Sequence, residues 1–183
     1  MEAPILELDS KKDLEIYMSP VRQQLLRALA VAAAPQTPKA LSLRLGISPS
    51  SVQHHLGKLL SLGVVKVDHT ERINGITATY YVPTNVTVRL GSGRADCRNE
   101  REALAFQVVQ TAVQGYFAAL HAAGSGWTAA SGDASTGVIY LTPEDWEEFR
   151  ALYVSFMERH STPAPGTSPW EFALVAHDAG VGP

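Results

Sequence analysis

Between residues 48 and 58 the chain sets Ser48, Ser50, Ser51, Gln53, His54 and Lys58 close together. Glutamine can pair with an adenine edge, and serine can donate or accept at several base edges. Histidine can donate to a base acceptor or a phosphate, and lysine suits a phosphate. This chemistry is recognition of a nucleic acid rather than catalysis. Stepping ~100° per residue from Val52 turns Ser50, His54, Gly57, Lys58 and Ser61 outward, with Ser51 and Gln53 on the flanks. A merely solvated helix face is the alternative, and the surroundings must decide between them. Thr37 and Lys39 begin the preceding helix, where an N-terminus can hold a phosphate; an ordinary cap beside a solvated lysine explains them equally well. Arg72 falls near a hairpin tip, where it could enter a minor groove or hold phosphate. His55 reads as packing against neighbouring helices, with DNA contact as the weaker alternative.

The elements that would position these groups announce themselves locally. Leu14, Tyr17, Val21, Leu25, Leu26 and Leu29 recur at helical spacing over 11–33, and Ser19-Pro20 divides that stretch into a lead-in and a main helix. Thr37-Pro38 opens a helix that Gly46 ends, and Ser48-Pro49 opens another that Gly63 ends. Hydroxyl cap, first-turn proline and terminal glycine are boundary chemistry. Gly46-Ile47-Ser48 is the short connection a helix-turn-helix needs. Val64 to Val67 and Thr77 to Val82 read as strands around an Asn74-Gly75 turn. Further on, residues 99–122 read as a long helix, Val138–Leu141 as a strand, 143–160 as a helix and Trp170–Ala176 as a last strand.

Together these make a winged helix-turn-helix. The stretch LSLRLGISPSSVQHHLGKLLSLGVVKV, followed by a hairpin ending ATYYV, resembles the ArsR-type family of bacterial regulators. The resemblance covers about 20–82 and implies a DNA-binding transcription regulator. The tail resembles, more weakly, the C-terminal extension of some relatives. The expected fold class is α+β, mainly helical, with a strand-helix-strand extension. The expected organisation is a DNA-binding domain at 11–84, a linker at 85–98, and a C-terminal dimerisation or effector domain at 99–183.

Charge agrees with this division. The net charge of 183 residues is −3. Residues 20–83, however, hold seven Lys/Arg against two Asp/Glu, while 85–183 hold six against eleven. A basic segment beside an acidic one suggests that only the first meets a polyanion. Double-stranded DNA is the expected partner. One winged helix covers about half a site, so a homodimer on a pseudo-palindrome is expected, held through the helices at 11–33 and 99–122. Trp127, Trp146, Phe149, Tyr153 and Trp170 could line a small-molecule effector pocket, although core packing is the plainer reading.

Other classes find less support. The single Cys97 gives no thiolate pair, and the histidines lack ligand spacing, so neither a metal nor a cofactor is expected. No nucleotide loop, nucleophile elbow or catalytic carboxylate pair marks an enzyme. No unbroken apolar run reaches membrane length and the first residues do not form a secretory signal, which points to a cytoplasmic protein away from membranes. The competing class is a protein-interaction module: a winged-helix scaffold whose acidic C-terminal half docks a partner.

Overall fold

The computed structural model describes residues 4–32, 34–91 and 94–180. Ala33, where the predicted first helix ends, and Ser92 and Gly93 of the predicted linker lie outside them. The element order is β1 (Ile5–Glu7), α1 (Lys11–Met18), α2 (Pro20–Ala32), α3 (Pro38–Leu45), α4 (Pro49–Leu62), β2 (Val65–Ile73), β3 (Ile76–Pro83), β4 (Thr87–Arg89), α5 (Arg98–Ala123) and α6 (Pro143–Arg159). The fold is α+β, and its first half is the expected winged helix-turn-helix.

One core organises that half. Leu14 and Ile16 of α1, Leu25, Ala28 and Leu29 of α2, Leu41 of α3, and Val52, Leu56, Leu59 and Leu62 of α4 are buried together with Val65 and Tyr81 of the hairpin. Each fully buried leucine contributes about 1.5–3 kcal/mol. The hairpin is antiparallel, with a bulge between Val67 and His69. Ile73 faces Ile76 across its tip. Asn74 and Gly75 both have positive φ (49° and 82°), the pair of conformations a type I′ turn requires. Gln36 and Tyr81 exchange two backbone hydrogen bonds of 2.9 Å, which tie the hairpin to the segment leading into α3.

Three features depart from expectation. Thr87–Arg89, inside the stretch read as a connector, forms β4 and pairs in parallel with β1. Val138–Leu141 and Trp170–Ala176 do not form strands. Among the described residues neither segment joins a ladder, and Tyr140 is 96% exposed. Their β-branched and aromatic composition favours a strand only where a neighbour completes the hydrogen bonds. Of the predicted strand-helix-strand extension, α6 alone forms, with no buried residue. The five aromatic residues offered for a pocket or core accordingly lie outside the core cluster.

Helix α5 joins the body through one short stretch. Arg101 is only 1% exposed. Its guanidinium donates to the carbonyls of Leu8 (2.9 Å), Leu90 (2.7 Å) and Asp96 (2.9 Å), and to the Asp96 carboxylate (2.8 Å). The segment after β1, the segment after β4 and the start of α5 thus meet on one cation. Beyond Leu104 and Val108 the helix leaves the core, with Phe106, Val113 and Phe117 exposed. Arg98–Gly126 is also long and apolar enough, by length and composition, to cross a bilayer. Its apolar stretch is not unbroken in sequence, because Gln107, Gln110, Thr111 and Gln114 interrupt it.

Replacing Arg101 with methionine should remove about 2–4 kcal/mol of stability, because it strands buried carbonyls. Urea unfolding at neutral pH measures the loss. The Arg101 and Arg94 guanidiniums hold the Asp96 carboxyl down from 3.8 to about 2. The unfolded chain binds that proton first, so the contribution is whole above about pH 4 and disappears as pH falls through 2. The gap between wild type and Arg101→Met should narrow over that window.

Candidate nucleic-acid interface

The inner stripe of α4 dictates what its outer face presents. With Val52, Leu56 and Leu59 each 0% exposed, helical geometry forces the residues between them toward solvent. Ser50, Gln53, His54, Gly57, Lys58 and Ser61 are exposed, and Ser51 is half-buried on the flank. Gln53, His54 and Lys58 make no side-chain hydrogen bond to another described residue, which leaves their donors and acceptors free. Ser61 is occupied, donating back to the Lys58 carbonyl at 2.8 Å.

The two helix starts form as the local chemistry dictates. Ser48 is extended and its Oγ accepts from the Ser51 amide at 3.2 Å. It also lies 3.0 Å from Ser50 Oγ. Thr37 caps α3 in the same way, accepting from the Ala40 amide at 3.2 Å, while Lys39 is exposed beside it. Between the helices Gly46 takes a left-handed conformation with φ of 67°, which a side chain would strain. Buried Ser42 donates to the Ile47 carbonyl at 2.6 Å and holds the turn. The predicted site residues therefore fall on three elements: Thr37 and Lys39 at the start of α3, the Ser48–Lys58 group on α4, and Arg72 exposed near the hairpin tip.

Charge is distributed unevenly among the cations. Lys11, Arg27, Arg89, Arg94, Arg98, Arg101 and Arg150 each pair with a carboxylate. Among the described residues Lys39, Arg44, Lys58, Lys66 and Arg72 have no such partner. The two carboxylates of the same region are both engaged: Asp68 with His69 at 2.7 Å, and Glu71 by the Tyr80 hydroxyl at 3.2 Å. The His69 ring stacks on Tyr80 at 4.3 Å. Positive charge on α3, α4 and the hairpin is left available to an external anion.

Arg22, outside the predicted site, is held at the junction of α1, α2 and α4. Its Nε donates to the Ile16 carbonyl, its Nη2 to the Glu15 carbonyl at 2.9 Å, and its Nη1 lies 3.3 Å from His55 Nδ1. Burial first, then the charges of Arg22 and His54, pull the His55 pKa below its ordinary value. Nothing in the local sequence around residue 22 or 55 signals this pair, because a fold is needed to bring them together. Among the described residues no group of three or more His, Cys, Asp or Glu gathers where it could hold a metal.

Comparison with known proteins agrees with the geometry. Residues 17–68 match the family model of a helix-turn-helix domain. No curated protein matches the chain. The match covers α2, α3, α4 and the start of the hairpin, the part that carries the exposed polar face. The segment is thus similar to a helix-turn-helix domain, which supports a DNA-binding regulator in general.

Because Ser48 spends its oxygen on the cap, Ser48→Ala should cost about 1 kcal/mol of stability. Ser50→Ala, at an exposed position, should stay within about 0.5 kcal/mol of wild type. Thermal unfolding of the two variants checks the difference; equal losses would contradict the cap assignment.

Proposed function

We propose that the protein is a sequence-specific transcription regulator without enzymatic activity, which binds a pseudo-palindromic operator as a homodimer and represses by occupying it. The observation that carries this reading is the α4 face: exposed and polar, with the side chains of Gln53, His54 and Lys58 unbonded among the described residues, and flanked by cations that no described carboxylate neutralises. Gln53 and His54 read base edges. Ser50 and Ser51 make short contacts at the helix start. Lys58, Lys39 and Arg72 hold phosphates, with Thr37 and Ser48 shaping the two helix N-termini beside them. Residues 11–84 serve as the DNA-binding part and 99–183 as the part that pairs subunits, with 85–98 between them. The resemblance to ArsR-type regulators supports the same reading. Such a protein works in the compartment that holds the DNA.

Dimerisation is supported by the two-sided pattern of α5. At ~100° per residue, Arg101, Leu104 and Val108 fall on one side, and Phe106, Val113 and Phe117 fall on the opposite side within about 40° of one another. The first stripe docks on the body; the second is exposed. A second copy of α5, with α1 beside it, would cover that stripe and set two recognition helices about 34 Å apart.

Selection from a random DNA pool should recover an inverted repeat; recovery of no preferred sequence would sink the operator model. Gln53→Ala and His54→Ala should each lose about 1–3 kcal/mol at one base position and change the selected sequence there. Lys58→Ala should weaken all duplexes alike and lower the salt slope by about 1. Phe117→Asp should shift a dimer toward monomer in sedimentation and weaken binding to the two-half-site duplex. A monomeric wild type at micromolar concentration would refute the paired arrangement.

A further inference from the structure

The Arg22–His55 pair has a chemical consequence that depends only on what each group can do. A guanidinium donates and cannot accept, and it does not lose its proton in proteins. With Arg22 Nη1 at 3.3 Å, His55 Nδ1 must accept. The proton of the neutral ring therefore sits on Nε2. Arg22 is itself fixed. Two of its other nitrogens reach the carbonyls of Glu15 and Ile16 near the end of α1, where a helix leaves carbonyls without intrahelical donors. The orientation of the ring follows from that anchorage.

The second nitrogen is left over. Among the described residues His55 Nε2 has no protein partner, and no buried side-chain nitrogen or oxygen lacks one. Nε2 is therefore not sealed from solvent although the ring is half-buried. Ser51, His55 and Lys58 recur at i, i+4 and i+7, so the three share one side of α4. That side is a flank. At ~100° per residue His55 lies about 120° from the outward centre occupied by Ser61. On a helix lying in a groove, the outward centre meets base edges and the flanks meet the sugar-phosphate walls.

Resting on the DNA-binding reading above, we propose that His55 donates its Nε2–H to a DNA phosphate oxygen, and that Arg22 is the positioning residue that sets the tautomer and aims the ring. Protonation at Nδ1 would set one N–H against another, and the lowered pKa of His55 agrees with a neutral donor near pH 7. The groups facing the ring are Arg22 from α2 and His54 from α4. A neutral donor strengthens binding without neutralising a phosphate, so it releases no counterion. His55 and Lys58 then share a flank and a target but differ in salt dependence.

The full-length chain serves for the test, with two duplexes as probes: the one recovered by random-pool selection and a scrambled version. Affinities are measured between about 50 and 200 mM salt. His55→Asn keeps an acceptor near the Nδ1 position but removes the outer donor. It should weaken both duplexes about ten-fold with an unchanged salt slope. His55→Gln places an amide donor near the Nε2 position and should retain most of the affinity. Nitrogen-detected NMR of the free protein should show the Nε2–H tautomer in wild type and a mixture in Arg22→Met. Thermal unfolding of each variant separates binding from folding, since a purely structural role predicts that Asn is the better replacement. The inference is overturned by a His55→Asn that binds like wild type, by a loss confined to the selected duplex, by a reduced salt slope, or by a proton on Nδ1. Wild-type chain that binds neither duplex fails the DNA reading itself, and this inference with it; normal wild-type binding with an unaltered His55→Asn fails this inference alone.

Discussion

Everything on the exposed side of α4 depends on what its other side buries. Val52, Leu56 and Leu59 interlock with Leu25 and Leu29 of α2 and Leu41 of α3, and that contact fixes the rotation of the helix about its own axis. A rotation by one residue, about 100°, would bury Gln53 and expose an apolar side chain. Several kcal/mol oppose it. The polar face is thus held by the opposite side of its helix, and among the described residues the hydrogen-bonding groups of Gln53, His54 and Lys58 stay unspent. Ser42 and Gly46 extend the same control to the turn, because the angle between α3 and α4 decides whether both helix starts can approach one surface.

The helix-turn-helix half was legible from sequence because its signals are local. Thr37-Pro38 and Ser48-Pro49 declare helix starts by side-chain chemistry, and Asn74-Gly75 declares a turn by backbone permissiveness. Each works within about four residues of itself. The missed features are those made by contacts across long stretches of chain. Strands β1 and β4 have three residues each and are separated by most of the regulator-like half, so neither carries a period that could be read. Arg101 looks in sequence like one more charge near a polar connector; only the fold shows three carbonyls converging on it. Arg22 and His55 belong to the same category. On α4 the exposed residues could be deduced from helical angle, and the cap at Ser48 from its hydroxyl beside Pro49, whereas the occupation of Ser61 by the Lys58 carbonyl could not.

Composition misled at Val138–Leu141 and Trp170–Ala176 for a related reason. Strand propensity describes how a side chain fits a pleated, half-covered surface, and it says nothing about whether such a surface is present. Glu171 illustrates the difference. It reaches Arg27 of α2 with two contacts of 2.9 and 3.2 Å, so Trp170–Ala176 is joined to the body by a surface ion pair rather than by a ladder. Exposed pairs of this kind contribute little, whereas a shared ladder would satisfy backbone groups along the whole segment.

The two halves of the chain solve the burial problem differently, and this difference links structure to the function proposed. In the first half the helices and hairpin cover one another around one core, which Leu104 of α5 joins, and the recognition-side groups of α4 are left polar. In the second half α5 has 26 residues with only Arg101 and Leu104 buried, and α6 has none. Helices owe most of their stability to packing of an apolar face. Helix α5 has such a face, at Phe106, Val113 and Phe117, and leaves it uncovered. A partner surface supplied by an identical chain would satisfy that requirement twice at once. The same contact would set the spacing of two α4 helices through the Arg101 junction, because Arg101 roots α5 in the segments that follow β1 and β4. On this view the apolar excess of the C-terminal half and the unpaired cations of the N-terminal half are complementary parts of one arrangement. The first would bring two copies together, and the second would remain free for the DNA they share.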